Sequence, residues 1–120
     1  MATESYSEQS VKAASAAIAK GYADPDALRE LLIWTTSKTT YEMVMSYFRR
    51  HLNDPNLLVA LFAIAAEGED SGDAPWAAAN TIAEFPPEML KKHRNELVEL
   101  SKHQWTYLSK PAQDALAKIK

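Results

Sequence analysis

Cysteine is absent from this chain of 120 residues, which removes disulfides, thiolate metal sites and cysteine nucleophiles together. Glycine occurs only three times, too few for the glycine-rich loop that cradles a cofactor phosphate. No segment alternates apolar and polar residues over a strand length, so strands are not expected. The longest apolar stretch, residues 57–66, falls well short of the roughly 20 residues that a bilayer requires. The opening Met1-Ala2-Thr3-Glu4 is acidic and polar, unlike a signal peptide, so a cytoplasmic location is the expectation. Formal net charge is −3, which gives no support to nucleic-acid binding through phosphates.

Helix-forming signals fill the space that these absences leave. Hydrophobic residues make up 47% and charged residues 24% of the chain, which suits one folded domain spanning residues 1–120. Ser5, Thr39, Asp73 and Ser109 recur at intervals of 34, 34 and 36 residues. Each carries a side-chain oxygen able to accept a backbone N–H at a helix start. Ser5-Tyr6-Ser7-Glu8 and Thr39-Thr40-Tyr41-Glu42 also have capping-box form. Asp24-Pro25 and Asp54-Pro55, thirty residues apart, each place a cap before a proline at the first helical position.

Periodicity between these starts predicts about seven helices. The first covers residues 6–20, with Val11, Ala14 and Ile18 inward. The second begins at Pro25 and buries Leu28, Leu31, Leu32 and Thr35. The third, residues 40–52, buries Tyr41, Val44, Met45, Phe48 and Leu52 in helical register. The fourth starts at Pro55, is apolar almost all round, and is expected to lie centrally. The fifth uses Trp76, Ala79, Ile82 and Phe85. Pro86-Pro87 launches a sixth, running unbroken to Lys102 or His103, with Met89, His93, Leu97 and Leu100 inward. A seventh follows Ser109 and buries Ala112, Ala115, Leu116 and Ile119.

Two stretches carry a likeness to a known build. Asp73-Ala74-Pro75-Trp76-Ala77-Ala78-Ala79-Asn80-Thr81-Ile82-Ala83-Glu84-Phe85 and residues 105–119, Trp105 to Ile119, share a Trp/Pro, Ala-Ala and Leu/Ile pattern. That pattern resembles the first helix of a HEAT repeat. The resemblance implies an all-α chain of three antiparallel helical hairpins plus a terminal helix, stacked as an alpha-solenoid. The alternative architecture is an irregular helical bundle.

Candidate chemistry dissolves on inspection. Residues 67–73 begin like a calcium-binding loop, but its twelfth position, which should be a bidentate Glu, is Ala78. His93, Glu96, Glu99 and His103 share one helix but supply at most part of a metal site. No nucleophile stands in a catalytic motif, and Glu96 and Glu99 have nothing to separate their pKa values for acid–base work. The expectation is therefore no enzyme, no metal and no cofactor.

What remains is surface. An acidic segment, Glu67, Glu69, Asp70, Asp73, Glu84 and Glu88, contains no Lys or Arg, whereas the chain from Lys91 onward is mainly basic. Met43, Tyr47 and Arg50 on the third helix form an expected exposed strip of interface-enriched types. The expected function is a non-catalytic protein-binding module, of the kind of a bacterial immunity protein that neutralises a toxin domain. In that reading the acidic segment covers a cationic active site. The alternatives are a HEAT-like adaptor or assembly factor using the Met43/Tyr47/Arg50 strip, and, less well founded, a helical-repeat enzyme or nucleic-acid binder. Oligomeric state is not legible.

Overall fold

The computed structural model of the chain describes residues 25–33, 41–67 and 74–119, with isolated positions 9, 12, 13, 15 and 16 before them. Among these residues the chain is all helical and has no strand. Helix α1 covers Pro25–Ile33, α2 Tyr41–Arg49, α3 Pro55–Ala65 and α4 Ala74–Ile82. The short α5, Pro87–Leu90, passes through a 3-10 turn, Lys91–His93, into α6, Arg94–Ser101; α7 follows over Thr106–Lys118. No described helix is long and apolar enough to cross a membrane. Most of the first expected helix, the caps Ser5, Thr39 and Asp73, and the loop positions 68–73 lie outside the described residues.

Proline and aspartate set the helix starts that can be seen. Pro25, Pro55 and Pro87 each open a helix, where the missing N–H is one the first turn cannot use. Asp54 takes an extended backbone, φ −97° and ψ 111°, and its carboxylate accepts the Asn56 N–H at 2.9 Å. At α5 the Pro86 carbonyl accepts from the amides of Met89 and Leu90.

Two expected boundaries are corrected. Ser109 is no cap: α7 starts one turn earlier, at Thr106, and Ser109 is buried within it, beside an internal Pro111. Trp105 takes the cap position, and its amide donates to His103 Nδ1 at 3.0 Å. The even ladder of caps therefore does not extend to the last helix. The sixth expected helix is not continuous either. His93 leaves helical geometry, at φ −120° and ψ 27°, and its ring stacks on Phe62 of α3 with centroids 5.0 Å apart.

One contiguous apolar core joins the helices. Leu28, Leu31 and Leu32 from α1, Phe48 from α2, Leu57, Leu58, Leu61 and Ile64 from α3, and Ile82 with Phe85 are buried. Helix α3 is not enclosed on every side, because Val59 is 56% exposed. The most extensive helix contacts are α3 with α4, α6 with α7 and α4 with α7. Small residues permit these contacts: α4 buries Ala74, Ala77, Ala78 and Ala79, and α7 buries Ser109, Ala112 and Ala115. The expected pairings of third with fourth helix and fifth with sixth are not among them.

Side chains also tie helix ends to one another. Lys118 Nζ donates to the carbonyls of Ala83 at 2.5 Å and Phe85 at 2.9 Å, capping the end of α4. Arg94 donates to the Ile119 carbonyl at 3.2 Å. Both cations sit where exposed carbonyls of a helix end concentrate negative potential.

Candidate protein-binding site

Glu67 is engaged by Arg29 of α1, whose Nε donates to Oε1 at 2.8 Å while its terminal nitrogen donates to Oε2. The same guanidinium reaches Asp26 at 2.6 Å. Hydrogen bonding to Glu67, opposed by burial, holds Arg29 above its ordinary pKa. Glu67 thus joins α1 to the end of α3. Glu84 and Glu88 are exposed, whereas Glu69, Asp70 and Asp73 lie outside the described residues.

The strip of Met43, Tyr47 and Arg50 needs correction. Tyr47 is only 6% exposed, and its ring packs against Phe48 at 5.6 Å and His51 at 4.7 Å. Met43 is partly buried against the core, so Arg50 alone of the three is exposed. The buried stripe of α2 is rotated toward Val44, Tyr47 and Phe48, a register as helical as the expected one. Tyr41, expected inside, is consequently 40% exposed.

That rotation assembles a groove between α2 and α4. Tyr41 and Met45 line it from α2; Trp76, Asn80, Thr81 and Glu84 line it from α4 and the turn after it, around a cavity of about 320 Å³. Trp76, expected with Ala79, Ile82 and Phe85 on the packed face of the fifth helix, is 38% exposed. The groove's polar groups are held in place. Asn80 donates to the Trp76 carbonyl at 2.9 Å, and Thr81 to the Ala77 carbonyl at 2.8 Å. Arg49 lies 3.5 Å from Glu42 and 3.9 Å from Glu84, linking the two helices at the rim. Two large aromatics, an apolar floor and a charged rim are the composition of a protein-binding hot spot.

No protein-family model matches the chain, and neither a curated protein nor a solved structure matches it significantly. The reading of the site therefore rests on its own chemistry.

A second groove lies between α3 and α6. Phe62 and Ala66 line one side, Glu96, Glu99, Leu100 and His103 the other, around about 270 Å³. The kink at His93 shapes it, since the His93 ring is stacked on Phe62 and its Nδ1 is 3.2 Å from Glu96 Oε2. That hydrogen bond, against the opposing effect of burial, holds the Glu96 carboxyl below its ordinary value. Three of the four residues singled out on the sixth expected helix thus border one groove, and the fourth, His93, stacks on Phe62 of its lining. No group of three or more metal-ligating side chains is placed to hold an ion among the described residues.

Sequence reasoning missed Tyr41 and Trp76 as surface residues. The available signal was the alternative register through Val44, Tyr47, Phe48 and His51, which places Tyr41 at the margin of the stripe.

Proposed function

We propose that this protein is a non-catalytic protein-binding module that grips its partner in the groove between α2 and α4. The observation that carries the reading is the joint exposure of Tyr41 and Trp76 on opposite walls of one cavity. Large rigid aromatics bury much apolar area at little cost in side-chain entropy, which makes them the usual anchors of interfaces.

The more specific form of the proposal is an immunity protein directed against a cationic toxin domain. The exposed carboxylate of Glu88, with Glu42 and Glu84 sharing the single cation of Arg49, supports a basic partner through electrostatic complementarity. For the architecture we propose a HEAT-like stack in a shifted frame, with α3/α4 and α6/α7 as its hairpins. The close approach of α4 to α7 supports stacking of one hairpin on the next.

Capture from the native host with wild-type protein and with Trp76→Ala tests the module. A specific partner retained by wild type and lost by a Trp76→Ala variant of unchanged helicity is the expected result. Equal recovery by both defeats the proposed groove. If the partner is a toxin domain, co-expression should relieve its toxicity. Recovery of an assembly of non-toxic proteins would instead establish the adaptor reading.

A further inference from the structure

We propose that the groove between α3 and α6 receives an arginine side chain of the protein partner. The inference rests on the reading of the chain as a protein-binding module, but concerns a different surface from the Tyr41–Trp76 groove.

Two carboxylates stand at the groove. Glu96 and Glu99 stand three residues apart on α6, so they share a helix face, and both are exposed at the groove. Glu99 has no cation within salt-bridge distance among the described residues. Glu96 has His93 beside it, an interaction that favours its ionised form. His103 turns its Nδ1 to the backbone, where it accepts the Trp105 N–H at 3.0 Å. The mouth of the groove is therefore negative.

The lining between them is apolar. Phe62, Ala66 and Leu100 present apolar surface, and Phe62 supplies an aromatic ring. An inorganic cation has no hydrocarbon stem to lay against such walls. A guanidinium gains from the ring face and from paired carboxylates, and its three-carbon stem gains from the apolar sides. Guanidinium is also less strongly hydrated than ammonium, so its transfer into a half-apolar groove costs less. A cavity of about 270 Å³ has room for one such side chain.

Amide-resolved NMR titration with n-butylguanidinium, and with neutral n-butylurea as its near-isostere, tests the groove without needing the partner. We expect n-butylguanidinium to perturb Ala66, Glu96, Glu99, Leu100 and His103, and n-butylurea to bind weakly or not at all. Glu99→Gln should weaken the guanidinium about fivefold, the scale of a solvent-exposed charge pair, while Trp76→Ala leaves it unchanged. Equal binding of the urea, or perturbation confined to the α2–α4 groove, would overturn the inference. Once the partner is in hand, Glu99→Gln should weaken the complex and n-butylguanidinium should compete with it. A complex indifferent to both but abolished by Trp76→Ala defeats the arginine pocket and leaves the protein-binding reading standing.

Discussion

Glu96 shows how one exposed contact can carry a pH signature. Its hydrogen bond to His93 lowers its pKa in the folded chain, so the contact's contribution is complete above the ordinary carboxylate range of about 4.3. It is lost as pH falls through the depressed value. The effect is small, since the Glu96 side chain is 53% exposed and well screened. The melting-temperature gap between wild type and Glu96→Gln should shrink between pH 6 and pH 3; a gap of constant size would remove the contact from the account. Lys118 makes a sterner case. It closes two carbonyls at the end of α4, and Lys118→Met should cost about 1 kcal/mol by losing those bonds. Chemical denaturation would detect that change, whereas a purely decorative lysine would leave the midpoint in place.

At the scale of elements, the small residues of α4 set how closely its neighbours approach. Ala78 is fully buried in the helix that lies close to both α3 and α7. Ala78→Leu should destabilise the fold by about 1–3 kcal/mol through overpacking, and thermal unfolding reads it directly. The helices themselves were legible because their starts are chemical: Asp54-Pro55 and Pro86-Pro87 announce α3 and α5 without tertiary help. Ser109-Lys110-Pro111 has the same appearance and misleads. The chain enters α7 through a bond from the Trp105 amide to His103, two residues earlier, a local contact made by an imidazole and not by one of the usual cap residues. The His93 break was likewise invisible, because an imidazole at helical spacing reads as inward-facing whether or not the backbone bends there. Tyr41 and Tyr47 exchanged roles for a related reason. Two stripes about one residue apart fit α2 equally well, and only its neighbours choose between them. The groove was thus unreadable while the helices that form it were plain.

At the scale of the whole molecule, the two kinds of surface feature should act on different rates of association and dissociation. Exposed carboxylates such as Glu84 and Glu88 attract a basic partner over distances comparable with the Debye length, about 10 Å at 0.1 M salt. Their influence falls mainly on encounter. Trp76 acts only after contact, when its ring is desolvated, so its loss should fall mainly on dissociation. For a basic partner, the charge reversal Glu84→Lys with Glu88→Lys should slow association several-fold at low salt and flatten its salt dependence, with dissociation little changed. Trp76→Ala should leave the salt dependence intact and accelerate dissociation, by about tenfold or more if the ring is an anchor worth over 1.4 kcal/mol. Surface plasmon resonance across ionic strengths separates the two. An association rate indifferent to charge reversal would remove the cationic partner while leaving the aromatic groove in place. A dissociation rate indifferent to Trp76→Ala would do the opposite.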